Sequence, residues 1–326
     1  MTGWLFSFLG ALAELRLSWP ERIPHPVRLI GWLLDRLETP ARKSEHPRLA
    51  GCVCLLLALV CVGGSVRALL ALPVVGAVCA GILVFAGLAL GELIRVCRQA
   101  LSVLEEGERT GDVAEARRQV GMLVSRDTTH MQAPELRRAL AETLAENFND
   151  AFVAPCFWLL VGGPVALWCY KTVSTMDSMW GYTTPEWKQL GMAGARCDDV
   201  LAWVPARLSA LLLGLAALFS PHAGTWPGWG TLRRQAGRMA SPNAGWPMAA
   251  SAWLHHAPMG GPTPYFGRIQ DKPRLGPDSD AAWSTPQLAA LLAHVERAGL
   301  LLLLAALLLA VLSAVSGFRL FPLAAF

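Results

Sequence analysis

The apolar run LAGCVCLLLALVCVGGSV at residues 49–66 decides the fold class, because it holds no charged side chain over its whole length. A helix needs roughly 20 predominantly apolar residues to cross the hydrocarbon core of a bilayer. Two further uncharged runs, at 72–91 and 299–318, reach a comparable length. A lone arginine, Arg67, separates the first two runs, which predicts a short hairpin between two membrane spans.

The composition of the whole chain supports the same class of protein. Of its 326 residues, 54% are hydrophobic and only 16% are charged, whereas a soluble domain carries roughly 25% charged residues. This composition excludes a disordered chain, a coiled coil and a disulfide-stapled module, and it argues against a soluble two-domain enzyme. A net charge of +4 without a dense run of arginines indicates no nucleic-acid partner. We predict an all-α, polytopic integral membrane protein with a single membrane-embedded domain over residues 1–326.

Two weaker segments leave the number of spans between three and five. The segment 151–170 contains two prolines and the pair Gly162–Gly163, which would break or kink a helix. The segment 208–219 is short, with Arg207 at its entrance. Both segments either cross the membrane or form a re-entrant hairpin. The apolar N-terminus, residues 1–13, predicts an interfacial or half-buried helix.

Basic residues concentrate in the regions 16–48, 95–138 and 233–297, which hold 22 of the 28. The positive-inside rule places such regions in the cytoplasm. We predict a cytoplasmic loop at 16–48, a cytoplasmic helical segment at 95–150 and a Gly/Pro/Trp-rich loop at 221–298 that is mostly irregular over 221–286. The polar segment 171–207 lies in the cytoplasm if the hairpin is re-entrant and outside if both weak segments cross.

Glu146 and Asp150 are four residues apart at the end of a predicted helix, so that both carboxylates share a face, with Asn147 adjacent. Spaced carboxylates facing a phosphorylated substrate commonly hold Mg²⁺. A solvated helix end is the simpler alternative. The same helix carries an apolar stripe formed by leucines 136, 140 and 144 together with Phe148.

The run YKTVSTMDSMWGY at 170–182 brings Lys171, Ser174, Ser178 and Tyr182 towards one face if it is helical. Lysine, hydroxyls and an aspartate beside a membrane segment indicate a phosphate or nucleotide site. The alternative is an interfacial helix whose lysine reaches the headgroups and whose aromatic residues lie at their level.

Asp198 and Asp199 are costly beside an apolar segment unless they are paired or bind a metal ion. Arg196, Asp199 and Arg207 are predicted to share one helical face, and a simple Arg–Asp ion pair is the alternative.

Three smaller clusters complete the set of candidates. His25 lies between two prolines, which predicts a rigid turn, with Arg28 close behind. Arg126 and Asp127 predict an ion pair followed by a turn or a cap. The histidines at 255–256 could bind a metal ion, although no third ligand lies at a convincing spacing.

Six blocks of the chain together resemble the signature blocks of the adenosylcobinamide-phosphate synthase family, the polytopic membrane enzymes of cobalamin biosynthesis (the CobD/CbiB family). They occur in the family's order and are PHPVRLIG at 24–31, SRDT at 125–128, ENFNDAFVAPCFW at 146–158, YKTVSTMDSMWGY at 170–182, ARCDDVLAWVPARL at 195–208 and SPNAGWPMA at 241–249.

The resemblance implies an ATP-dependent, amide-forming ligase. Such an enzyme joins the remaining propionate carboxylate of adenosylcobyric acid to aminopropanol or its O-phosphate, with ATP and Mg²⁺ as co-substrate and cofactor. The expected partners are this corrinoid, the amine, the lipid bilayer and other late-stage cobalamin enzymes at the membrane. The active site is expected on the cytoplasmic side.

On this hypothesis the matching residues take three kinds of role. The candidate Mg²⁺ ligands are Glu146, Asp150, Asp177, Asp198 and Asp199. The candidate catalytic residues are Lys171, Asp177, Asp198 and Asp199. The candidate substrate-binding residues are His25, Arg28, Arg126, Asp127, Asn147, Ser178, Tyr182, Arg196, Arg207, Ser241 and Asn243, with Lys171, Arg196 and Arg207 as phosphate contacts.

Four positions depart from the family pattern. Trp19 stands where an acidic residue is usual, Ala151 where glycine is common, and Ser174 and Ala202 where asparagines are usual. These departures keep open a non-catalytic homologue that acts as a membrane sensor or regulator. A corrinoid transporter fits less well, because the charges cluster at span ends and no paired half-helix repeat is visible.

Overall fold

The computed structural model describes residues 2–73, 75–182, 184–220, 223–265 and 268–316. Within them the predicted all-α class is confirmed, since a single two-stranded hairpin accompanies the helices. In chain order the elements are α1 (Thr2–Glu14), α2 (Pro26–Arg42), α3 (Pro47–Leu70), α4 (Val75–Gly87), α5 (Leu90–Thr110), α6 (Ala114–Gly121), α7 (Ala133–Asn147), a π-helical segment (Phe148–Val153), α8 (Ala154–Trp180), α9 (Met192–Leu201), α10 (Trp203–Ala217), α11 (Trp229–Ala236), α12 (Gly245–Leu254), β1 (Met259–Tyr265), β2 (Arg268–Leu275) and α13 (Thr285–Ser316).

Four helical stretches of the described chain are long and apolar enough to cross a membrane, namely Pro47–Leu70, Val75–Thr110, Ala133–Trp180 and Thr285–Ser313. A fifth is added if the bent pair α9 and α10 counts as one span. This confirms a polytopic membrane protein with three to five membrane segments. The hairpin predicted around Arg67 is also present, because α3 ends at Leu70 and α4 begins at Val75.

The chain divides into two compact units. The first comprises Met1–Gly91, Ala154–Ala202 and Leu303–Phe326, and the second comprises Glu92–Val153 and Trp203–Leu302. Each unit has its own buried residues and its own polar cluster.

In the first unit, α1 packs closely against α4, where two glycines face each other. A Cβ atom added to Gly10 would lie 2.1 Å from the carbonyl oxygen of Gly81, so only glycine permits this approach. Glu14 at the end of α1 accepts a hydrogen bond of 2.8 Å from the backbone N–H of Gly91. Because Leu5 and Leu9 stay exposed on the other face, α1 is the half-buried helix that the sequence predicts.

The predicted break in the segment 151–170 is confirmed inside α8. Gly162 and Gly163 leave helical geometry, and Gly163 has φ of 67° and ψ of −165°. This combination is essentially restricted to glycine. Pro164 follows directly, so that the helix bends where a proline can begin a new helical turn.

In the second unit, α7 is buried on nearly every side. The predicted apolar stripe is confirmed, because Leu136, Leu140, Leu144 and Phe148 are all 0% exposed. Pro134 lies in the first turn of the helix, as proline prefers. The helix then opens into the π-helical segment, a type of irregularity that is frequent at functional sites.

The prediction of a mostly irregular segment at 221–286 is wrong. This segment contains α11, α12, the β1–β2 hairpin and the start of α13. The physical reason is tertiary packing, which overrides the low helix propensity of Gly- and Pro-rich sequence. Gly245 illustrates it, because a Cβ atom there would lie 2.7 Å from the Cα of Ala236. Such close contact between α11 and α12 holds two short helices that would not form alone.

Candidate functional site

The first unit brings Asp177 and Asp199 together where α9 packs against the last turns of α8. Two glycines permit this contact. A Cβ atom on Gly191 would lie 1.7 Å from the carbonyl oxygen of Trp180, and one on Gly194 would lie 3.0 Å from the Met176 side chain. The carboxylates of Asp177 and Asp199 are close enough to interact electrostatically. The fold therefore places these two candidate residues near each other.

Arg196 forms an ion pair with Asp199, with 4.0 Å between Nη1 and Oδ2. Because the Arg196 side chain is 81% exposed, this pair contributes little to stability. The predicted continuous helical face of Arg196, Asp199 and Arg207 is wrong, since α9 ends at Leu201 and a new helix begins at Trp203. Asp198, next to Asp199, is partly buried.

Lys171 is partly buried on α8 and interacts electrostatically with His25. His25 occupies the N-cap of α2, where its Nδ1 accepts a hydrogen bond of 3.3 Å from the N–H of Val27. Burial and the charge of Lys171 lower the pKa of His25, opposed by a hydrogen bond that the imidazole donates to the backbone carbonyl of Ala86. The predicted rigid turn at His25 is thus a helix cap holding a neutral imidazole at neutral pH.

The other residues predicted in this unit are more exposed. Ser178 donates a hydrogen bond of 2.9 Å to the carbonyl oxygen of Ser174, one turn earlier. Tyr182 is 58% exposed and lies beyond the end of α8 at Trp180, so it does not share the helical face predicted for it. Arg28 is exposed in the first turns of α2.

In the second unit, Arg207 is held between two indole rings. The centre of its guanidinium lies 4.2 Å from the ring centroid of Trp203 and 4.6 Å from that of Trp246. Its Nη1 donates to the carbonyl oxygen of Trp203 at 2.8 Å and to Oδ1 of Asn243 at 3.1 Å, and its Nη2 donates to Pro242 at 3.4 Å. No described residue accepts the Nε–H or the second Nη2–H, so two donors are available to an anion.

The turn before α12 supplies the two remaining candidates of this cluster. The Oγ of Ser241 accepts hydrogen bonds from the N–H groups of Asn243 (3.2 Å) and Ala244 (3.4 Å). This local bonding fixes the turn, which presents the amide of Asn243 to Arg207. The structure therefore brings Arg207, Ser241 and Asn243 into one site, with Ser241 supporting the turn.

Glu142 is the centre of a buried ionic cluster in the same unit. It is 0% exposed, it pairs with Arg126, and its Oε1 accepts a hydrogen bond of 2.7 Å from the N–H of Gly260. The predicted ion pair between Arg126 and Asp127 is wrong, because Arg126 pairs with Glu142 instead. The predicted turn is confirmed, since Asp127 accepts bonds from the backbone and hydroxyl of Thr129, which lower its pKa.

Glu146 lies at the surface of α7, within electrostatic reach of Lys272, Glu142 and Arg126. Asp150 lies inside the π-helical segment, so the two carboxylates do not share one regular helix. Asp150 accepts a hydrogen bond of 2.6 Å from Asn149.

Asn147 and Asn149 make contacts of their own beside these carboxylates. Asn149 accepts a bond of 3.0 Å from the buried hydroxyl of Ser209 on α10. The side chain of Asn147 donates to the carbonyl oxygen of Thr143 at 3.0 Å, which places it in a structural contact.

The carboxylates predicted to bind Mg²⁺ fall on both units, with Glu146 and Asp150 on the second and the three others on the first. Among the described residues, no group of three or more His, Cys, Asp or Glu side chains could hold a metal ion. Mg²⁺ is usually bound by one or two carboxylates, with waters and substrate phosphates completing its octahedron. The pair Asp177 and Asp199 fits such a donor set.

Sequence reasoning missed Glu142, Asn149, Trp203 and Trp246. A signal for Glu142 exists, because Arg138, Glu142, Glu146 and Asp150 recur every four residues, opposite the leucine stripe. Charged side chains on a helix that is surrounded by apolar residues need polar or charged partners, so such a strip indicates that partners for them lie inside the fold. Trp203 lies four residues before Arg207 on α10, a spacing that makes the two side chains neighbours, whereas no local signal identifies Trp246.

These features define a helical, multi-pass membrane protein whose two units each carry a cluster of charged side chains. The CobD/Cbib protein family matches residues 7–295, and the chain belongs to this family.

Several relatives are similar over most of their length. The chain is 36% identical to cobalamin biosynthesis protein CobD of Klebsiella pneumoniae over 269 residues, covering 79% of this chain and 82% of that one. It is 38% identical to cobalamin biosynthesis protein CobD of Pelobacter propionicus over 284 residues, covering 82% and 83%. It is 36% identical to cobalamin biosynthesis protein CbiB of Salmonella arizonae, covering 79% and 82%. No solved structure matches the chain significantly.

Proposed function

We propose that this protein acts in cobalamin biosynthesis as an adenosylcobinamide-phosphate synthase. It joins the propionate carboxylate of adenosylcobyric acid to the amine of aminopropanol or of its O-phosphate. Two findings support the proposal. The chain belongs to the CobD/Cbib family over residues 7–295, and its relatives are named cobalamin biosynthesis proteins.

The proposed reaction has two steps that balance in atoms and charge. A carboxylate oxygen of the corrinoid attacks the terminal phosphorus of ATP, which forms an acyl phosphate and releases ADP. The amine nitrogen then attacks the acyl carbon, the amide bond forms, and inorganic phosphate leaves with the bonding electron pair. The attacking nitrogen loses one proton in this second step. Negative charge accumulates on phosphoryl oxygens, so fixed cations are the main requirement of the site.

The observation that carries the proposal is the fixation of Arg207. The two indole rings and the amide of Asn243 hold its guanidinium in one orientation, with two N–H donors left for an anion. A cation that is positioned before the substrate arrives needs no reorganisation in the transition state. We assign to Arg207 the role of contacting a phosphoryl group, and to Asn243 that of orienting it.

The first unit carries a separate set of charges. Lys171 is assigned a phosphate contact, and Arg196 a further one at the surface. Asp177 and Asp199, with Asp198 adjacent, would hold Mg²⁺, which when bound neutralises phosphate charge. Both ring nitrogens of His25 bond to backbone groups, so this residue caps the start of α2 beside Lys171 and adds no charge there.

An amidation assay tests the reaction. Purified protein in detergent is incubated with adenosylcobyric acid, ATP, Mg²⁺ and either aminopropanol or its O-phosphate. The molecular mass of the corrinoid product is then measured by mass spectrometry. We expect an ATP-dependent mass gain of one amine. Arg207→Lys keeps the charge but loses the planar fork, and we expect it to lower kcat by at least about tenfold. Arg118→Lys, at an exposed pair on α6, is the matched control.

A second candidate function is a homologue that binds the corrinoid without catalysis. The observation that favours it is the position of Trp19. The centroid of its ring lies 5.2 Å from that of the His25 ring, edge to face, and 5.9 Å from that of Phe85, on which it stacks. An aromatic ring thus lies where the family carries an acidic residue. Folded protein that binds adenosylcobyric acid but makes no product, and that gains activity on Trp19→Asp, would establish this alternative.

We further propose that the polar clusters face the cytoplasm from the bacterial inner membrane. The concentration of basic residues in three regions supports this orientation. A cysteine at the exposed position Asp278, in a variant lacking the native cysteines, tests it. We expect labelling by a membrane-impermeant thiol reagent only in inside-out vesicles. Labelling in intact spheroplasts would contradict the orientation.

A further inference from the structure

A cavity of about 330 Å³ lies in the second unit, between the start of α7 and the β1–β2 hairpin. Its volume is at the lower end of the roughly 300–1,000 Å³ typical of small-molecule sites, so it is far too small for a corrin ring. Its charged lining residues are Glu135, Arg138, Arg274 and Asp280, and Pro258 and Trp283 contribute apolar surface.

The charges of the lining residues balance. Arg138 comes from α7 and Arg274 from β2, against the carboxylates of Glu135 and Asp280. Arg274 donates to Asp280 at 3.0 Å, and Glu135 accepts a bond of 2.7 Å from the N–H of Gln132. A cavity that contains both cations and anions is complementary to a molecule that carries both kinds of charge.

Arg138 is the least satisfied of these groups. Its Nη2 donates to Pro262 at 3.2 Å, but its Nε is buried and has no hydrogen-bond partner among the described residues. The nearest carboxylate oxygen, on Glu142, lies 4.0 Å from Nε and already accepts from Gly260. Because Glu142 also neutralises Arg126, Arg138 keeps a positive charge that a bound anion would satisfy.

Two consecutive glycines keep the space beside Arg138 open. Gly260 and Gly261 have φ of 78° and 80°, values that residues with a side chain rarely adopt. A Cβ atom on Gly261 would lie 3.8 Å from Nη1 of Arg138, where any longer side chain would occupy the cavity.

We propose that this cavity binds the amine substrate as a zwitterion, with a phosphomonoester at one end and an ammonium group at the other. The phosphate contacts Arg138 and Arg274, and the ammonium group faces Glu135 and Asp280. This inference rests on the proposed function, since it assigns the phosphorylated amine to a site of its own. The cavity then selects the amine independently of the corrinoid.

Isothermal titration calorimetry on the full chain in detergent, without ATP or corrinoid, tests the site. The probes are aminopropanol O-phosphate, aminopropanol and inorganic phosphate. We expect the zwitterion to bind more tightly than either of the other two. Arg138→Gln should weaken its binding by roughly tenfold or more and leave the affinity for aminopropanol unchanged. Arg118→Gln, an exposed arginine on α6, should leave every affinity unchanged.

A second variant, Arg274→Gln, tests the same site if Arg138→Gln does not fold. Arg274 is 47% exposed in its pair with Asp280, so Arg274→Gln should fold and also weaken binding of the zwitterion. Equal affinity of the wild type and both variants for aminopropanol O-phosphate overturns the site. Tighter binding of glycerophosphoethanolamine than of the phosphomonoester also overturns it, because the ligand is then a lipid headgroup.

The outcomes separate this inference from the proposed function. Zwitterion binding that depends on Arg138, in a protein that forms no amide, supports the cavity and refutes the ligase. Amide formation with an unchanged KM for the phosphorylated amine in both arginine variants supports the ligase and refutes the cavity.

Discussion

Replacing Glu142 by glutamine removes one negative charge from the centre of the second unit while keeping the shape of the side chain. Glu142 is 0% exposed, and the side chain of its partner Arg126 is 7% exposed. Glutamine can still accept the bond from the N–H of Gly260, but it then turns an NH2 group towards Arg126, so the change removes the charge and the acceptor for Arg126 together. Breaking a buried pair by removing one partner costs about 3–5 kcal/mol, because the other charge stays buried and uncompensated. We expect the free energy of unfolding to fall by about 3 kcal/mol, the lower end of that range, because the glutamine amide keeps one hydrogen bond.

The assay is reversible unfolding by sodium dodecyl sulfate in mixed micelles, followed by circular dichroism. Glu115→Gln is the matched control, since Glu115 forms a similar pair with Arg118 at the exposed surface of α6; we expect no measurable change there. The double variant Arg126→Gln with Glu142→Gln removes both charges and should be more stable than Glu142→Gln alone. Equal unfolding midpoints for Glu142→Gln and Glu115→Gln would refute this account of the cluster.

Three further predictions concern other parts of the fold. Trp246→Leu removes one ring from the guanidinium of Arg207 and leaves space where a buried indole packs, so we expect a lower kcat in the amidation assay together with a lower thermal stability. Burial and the neighbouring His294 lower the pKa of His255 to about 3. As the pH falls from about 6.5 towards 3, the unfolded chain therefore binds a proton at His255 that the folded chain does not bind, and the free energy of unfolding should decrease. His255→Asn should flatten this decrease when unfolding is measured at a series of pH values. Gly163→Ala forces a side chain into a backbone region essentially restricted to glycine and should lower the unfolding free energy by about 1–3 kcal/mol, measured by the same detergent titration.

The membrane spans and the kink in α8 are predictable from the sequence because both depend on local properties. A span requires only a sufficient length of apolar residues, and a Gly-Gly-Pro run breaks a helix wherever it occurs. The apolar stripe of α7 follows from its period for the same reason. These features need no knowledge of which elements lie next to each other.

The partners of charged residues could not be predicted, because they depend on contacts between distant parts of the chain. Arg126 has an acidic neighbour in sequence, Asp127, yet it pairs with Glu142 sixteen positions away. The helices α11 and α12 were missed for a related reason. They are only 8 and 10 residues long, too short to be stable alone, and burial of Leu232 and Ala236 in the folded unit provides the stabilisation.

The spacing of polar residues on α7 connects the two proposals. Arg138, Glu142 and Glu146 follow one another at intervals of four, so they form a strip on the side of the helix opposite the leucines. Polar side chains are costly in a helix that is buried nearly all round unless each has a partner. Glu142 has Arg126 and Gly260, whereas Arg138 lines the cavity and Glu146 reaches the surface. Arg138 and Glu146 are therefore the two members of the strip that can meet a ligand. A zwitterion bound at Arg138 would lie along the same side of α7 as a carboxylate able to interact with a cation.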